Sequence, residues 1–153
     1  MKRTILKSAH RIAGVVALLM ITTFFLSSVI ADLFGSYQNI ALVKQTILQW
    51  VALLVLSMMA VGITGKKLYP AELKGILAVK AKRLKVAAFN GLVVLIPAAY
   101  FLAIWSAEGL FDTRYWFVQA IELIAGVTNA AMIGLNIRDG IRLGQKSNKK
   151  VNK

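Results

Sequence analysis

The chain has 153 residues, 58% of them hydrophobic, a mean hydropathy of +0.68 and a formal net charge of +13. That apolar content lies outside the range of a soluble domain of this length. The chain has no cysteine, which excludes disulfides, thiolate metal sites, iron–sulfur clusters and a thiol nucleophile.

Four apolar runs follow one another: Ile12–Ala31, Thr46–Gly65, Val86–Ser106 and Trp116–Ile137. Each is about 20 residues, enough at about 1.5 Å per residue to cross a hydrocarbon core of about 30 Å. The basic residues sort by side. Lys2, Arg3, Lys7 and Arg11 precede the first run, and Lys66, Lys67, Lys74, Lys80, Lys82, Arg83 and Lys85 separate the second from the third. Arg138, Arg142, Lys146, Lys149, Lys150 and Lys153 follow the fourth. Only Lys44 and Arg114 fall on the opposite side, so 17 of 19 basic residues share one face. Positive charge is retained in the cytoplasm, which predicts both termini inside. A net charge of +13 would point to nucleic acid in a soluble chain. Here the expected partner is the bilayer itself, with anionic lipid at the cytoplasmic face, and no nucleic acid.

The first run begins after a basic stretch and ends Val29-Ile30-Ala31, which has the look of a secretory signal. The apolar stretch exceeds the usual signal core of about 7–15 residues, so a retained helix is expected. This helix should start near Thr4 or Ser8, and residues 32–38 form an external connection with Gly35 and Ser36 at the turn. The second helix starts before Thr46 and stops at Gly65, followed by Lys66 and Lys67 at its negative dipole end. Residues 66–85 form a basic amphipathic inner loop. Pro70 and Glu72 suit a helix start, and Leu73, Ile76, Leu77 and Leu84 recur at helical spacing. The segment either lies on the inner membrane surface or extends the third helix. Pro97 should kink that third helix. Residues 107–115 make the second external connection, and 138–153 form a basic cytoplasmic tail that is helical to about Leu143. Trp50, Trp105, Trp116 and Tyr115 are expected at the outer interface.

Two alignments hint at a duplicated hairpin. Gly14 against Gly91 also pairs Val16 with Val93 and Leu18 with Leu95, while Gln49 against Gln119 also pairs Leu53 with Leu123 and Ala60 with Ala130. The halves would be related by an axis along the membrane normal.

Polar residues inside an apolar helix face protein. On the fourth run Gln119, Glu122, Asn129 and Asn136 share one stripe, with Gly126, Ala130 and Gly134 beside it. Small residues admit a neighbouring backbone and amides bond across it, so this helix is expected to be the packing centre. Glu122 lies six residues past Trp116, about 9 Å below the outer interface, where it must be protonated or paired. Gln49 on the second helix is at similar depth and Lys44 can reach down towards it. A proton- or ligand-linked carboxylate and a structural interhelical bond are both consistent with that position. At the inner end, Arg11 and Asp139 are placed to pair between the first and fourth helices.

His10-Arg11-Ile12-Ala13-Gly14 stands at the mouth of the first helix, and His10 is the only histidine. The element is similar to the short His-Arg-x-x-Gly element in the membrane cytochrome b anchors of succinate dehydrogenases. That resemblance implies haem b or quinone near His10 and Arg11. Five residues carry it. A bis-histidine haem would require two chains, and a His–Met haem would require Met132 or Met59. No metal-ligand motif, phosphate loop or nucleotide fingerprint is present, so neither a metal nor a catalytic residue is assigned.

The fold expected is an all-α integral membrane protein, a four-helix transmembrane bundle in a bacterial-type inner membrane. The leading role is a non-enzymatic accessory or anchoring subunit, without cofactor, that packs with itself or with other membrane subunits. The alternatives are a haem- or quinone-binding redox anchor and a carrier for a small or lipid ligand at Glu122.

Overall fold

The computed structural model describes residues 2–69 and 74–151, and its elements are all helical. They are α1 (Lys2–Phe34), α2 (Tyr37–Leu68), α3 (Ile76–Asn90), a π-helical turn (Gly91–Leu95), α4 (Ile96–Ala107) and α5 (Thr113–Val151). α3, the π turn and α4 follow without a break, so the chain forms four rods. All four are long and apolar enough to cross a membrane.

The rods exceed the apolar runs at both ends. α2 starts at Tyr37, well before Thr46, and α5 continues to Val151 instead of ending near Leu143. A rod of 32 residues, as in α2, is about 48 Å long against a hydrocarbon core of about 30 Å. Pro70, Glu72 and Leu73, singled out in the sequence as the start of the inner segment, lie outside the described residues. From Ile76 onward that segment is helical and continuous with α4, as the extended-helix alternative has it.

Local chemistry explains the joints. α1 and α2 are separated by Gly35 and Ser36 alone. The Gly35 N–H donates to the Ala31 carbonyl at 2.9 Å, and a Cβ on Gly35 would lie 2.6 Å from that oxygen, so only glycine fits. The Ser36 hydroxyl accepts from the Asn39 N–H at 3.3 Å and starts α2. Pro97 lies at the second position of α4 and lacks the N–H that an α-turn would use. The π turn lies immediately before it, and Ile96 N–H bonds to the Gly91 carbonyl five residues back. The disruption expected at Pro97 therefore takes the form of one widened turn within a continuous rod.

The rods form a ring. α1 packs on α2 and α5, α4 on α2 and α5, and α3 on α5. The start of α1, the end of α2, the start of α3 and the end of α5 lie at one end of the bundle. The two short connections lie at the other, called the loop end below. A small core there joins Ala31, Ile40, Ala98, Leu102 and Tyr115. Tyr115 is fully buried within the bundle, with Phe111 against its ring at 4.8 Å. The tryptophans do not share a level. Trp116 is in the first turn of α5, whereas Trp50 is 13 residues into α2, about 20 Å from its start. The outward surface is apolar, with Leu19, Leu56 and Ile124 all more than 60% exposed.

Asp112 sets the start of α5. Its Oδ1 accepts from the N–H groups of Arg114 and Tyr115 at 3.0 and 3.1 Å. The Arg114 guanidinium hydrogen-bonded to Asp112 holds its carboxyl below the usual carboxylate range, with help from the Tyr115 N–H. The cap is therefore intact at neutral pH and fades as pH falls through the lowered folded value. Asp112→Ala should lower the melting temperature of the solubilised protein, and Asp112→Asn, which keeps a capping oxygen, should lower it less.

Candidate functional site

α5 carries the polar stripe, and its members divide into two zones. Tyr115, Gln119 and Glu122 follow one another at spacings of four and three, which places them on one face near the loop end. Asn129 and Asn136 continue that face towards the termini.

At the loop end three rods contribute to one buried cluster. Lys44 of α2 is 1% exposed, and its Nζ lies 2.5 Å from Glu122 Oε2. The same ammonium donates to Ser28 Oγ of α1 at 2.9 Å. One turn further along α1, Asp32 Oδ2 accepts from Gln119 Nε2 at 2.6 Å. Three buried polar atoms in this cluster have no hydrogen-bond partner among the described residues: Asp32 Oδ1, Gln119 Oε1 and the Tyr115 hydroxyl. The cluster thus brings together two acidic side chains, Asp32 and Glu122, and one lysine. Beneath it lies an apolar cavity of about 50 Å³, bounded by Phe24, Phe25, Ile47, Leu95, Glu122 and Gly126. It falls well short of the roughly 300–1,000 Å³ of a typical small-molecule site.

The second zone is a ladder of amides between α3 and α5. Asn90 Nδ2 donates to Asn129 Oδ1 at 2.8 Å and to the Ala125 carbonyl at 3.0 Å. Asn129 Nδ2 donates to the Ala87 carbonyl at 3.1 Å, and Asn136 Nδ2 to the Lys80 carbonyl at 3.0 Å. Asn129 and Asn136 are two turns apart, as are Ala87 and Lys80, so the rungs run antiparallel. The small-residue stripe is used in part: Gly126 is buried against Phe25, while a Cβ on Gly134 would meet nothing within 4 Å.

The remaining residues singled out in the sequence lie elsewhere. Gln49 is exposed on the outward face of α2, away from Glu122, whereas Gln119, its match in the duplication alignment, is buried. His10 is half-buried, with Nδ1 2.9 Å from Thr64 Oγ1 and its ring against Gly65. Arg11 is exposed. Asp139 pairs with Arg83 at 2.7 Å and with Arg138 at 3.2 Å, so the expected Arg11 pairing is replaced by partners on α3 and on α5 itself. Of the two methionines considered as haem ligands, Met59 is exposed and Met132 is half-buried. Among the described residues no three His, Cys, Asp or Glu side chains are grouped as for a metal ion.

Sequence reasoning missed Asp32, read as part of a connection, and Tyr115, read as an interface aromatic. A signal for both is present. Ser28 and Asp32 are four apart, as are Tyr115 and Gln119, which places each pair on one helix face. Comparison with protein-family models, with curated proteins and with solved structures gives no match to this chain.

Proposed function

We propose that the protein is a small, non-enzymatic, multi-pass inner-membrane subunit that packs with itself or with a larger membrane complex. Both termini and the basic segment 66–85 face the cytoplasm and its anionic lipid, because 17 of the 19 basic residues would otherwise be translocated. The observation that carries the packing role is the outward face of α2. Gln45 and Gln49 are exposed there, one turn apart. Gln49 is 12 residues into α2, about 18 Å from its start. An amide facing hydrocarbon is unfavourable, and a neighbouring protein surface supplies the partner that lipid lacks.

The lack of cysteine makes the test direct. Gln49→Cys, coupled to a photoactivatable maleimide in native membranes, should give a discrete cross-linked product. The same reagent on Leu19→Cys, an exposed apolar position on α1, should give little. Equal labelling of lipid from both positions, with no protein product from position 49, would refute the reading.

A further inference from the structure

The three unpartnered atoms of the loop-end cluster are not scattered. Two of them belong to the pair that already shares a hydrogen bond. Gln119 Nε2 donates to Asp32 Oδ2, and the atoms left over are Asp32 Oδ1 and Gln119 Oε1. Both are acceptors as long as Asp32 is ionised, so they cannot satisfy one another. One proton changes that. A carboxylic acid opposite a primary amide closes a ring of two reciprocal hydrogen bonds, Nε2–H to Oδ2 and Oδ1–H to Oε1.

Charge leads to the same place. The groups facing Asp32 are Lys44 from α2 and Glu122, Gln119 and Tyr115 from α5. Lys44 is held against Glu122 at 2.5 Å and so balances one carboxylate. Asp32 is the second acid and has no cation of its own in the cluster among the described residues. A buried net negative charge is unfavourable, and the group neutralises instead.

We propose that Asp32 and Gln119 form a proton-binding site, in which Asp32 Oδ1 carries a proton at neutral pH and donates it to Gln119 Oε1. Asp32 lies in the last turn of α1 and is half-buried, so the proton exchanges with the solution at the loop end. The native state holds a proton that the unfolded chain releases at neutral pH. Stability therefore falls as pH rises, a dependence that Asp32→Asn removes. Asn keeps the donor and acceptor pattern of the protonated acid, so this variant should fold.

Infrared spectroscopy of the full chain in lipid bilayers tests the site. At neutral pH the parent should show the carbonyl stretch of a protonated carboxylic acid. The band should shift when aspartate carboxyls carry carbon-13, stay fixed when glutamate carboxyls do, and vanish in Asp32→Asn. Gln119→Leu should move it to the frequency of a less strongly bonded acid. A neutral-pH spectrum without the band would overturn the proposal, as would a band that shifts with glutamate labelling. The labelled parent decides between these results whatever the variants do.

Discussion

Lys44→Met should lower stability by about 3–5 kcal/mol, the largest loss expected from any one polar side chain in the bundle. The substitution keeps a long apolar stem but leaves Glu122, 8% exposed, without its cation. It also leaves the Glu122 carboxylate beside the acid Asp32, in a cluster with no positive charge among the described residues. The loss reflects the stranded charge rather than the net worth of the pair. Lys44→Met combined with Glu122→Leu should therefore recover most of it, because well-packed apolar groups often replace a buried ion pair without loss. Glu122→Gln should cost less than Lys44→Met, since Asp32 can release its proton and balance the ammonium once the Glu122 charge is gone. Reversible denaturation in mixed micelles, with helicity as the signal, measures all three. A Lys44→Met protein as stable as its parent would mean that the pair does not hold α2 against α5.

The second large effect belongs to the amide ladder. Asn129→Leu removes the bond to the Ala87 carbonyl and the bond from Asn90 together. Interhelical hydrogen bonds in membranes average about 0.6 kcal/mol and reach about 1.7, so two of them set a loss of about 1–3 kcal/mol. Asn136→Leu removes one rung, to the Lys80 carbonyl, and should cost about half as much on the same scale. The order matters more than the values. If Asn136→Leu proved the more damaging, the rungs near the π turn would not be what joins α3 to α5.

The fold was largely legible in the chain because hydrophobic length is a strong signal and four runs of about 20 residues leave few alternatives. Helix ends were not legible in the same way. Polar residues past an apolar run continue a helix when a neighbouring rod holds them, as Arg83 and Asp139 do between α3 and α5. Glu122 stood out because it is an acid within an apolar run. Asp32 did not, because one residue past the end of a run an acid reads as solvated. Its burial depends on Gln119 arriving from a rod 87 residues away, which periodicity along α1 cannot express. Gln49 failed for the opposite reason. Its depth was read from sequence, but its direction depends on which face of α2 meets the bundle.

The π turn at Gly91–Leu95 gives the third rod an articulated character. Below the turn α3 is laced to α5 through Asn90, Ala87 and Lys80, and above it α4 bears on both α2 and α5. The two halves of one rod thus answer to different sets of neighbours across a single widened turn, whose wider hydrogen-bonded ring bends more readily than an α-turn. The turn is thus the point at which this rod passes from packing on α5 to packing on α2 and α5 together, while α5 runs unbroken past it from the amide ladder to the loop-end cluster.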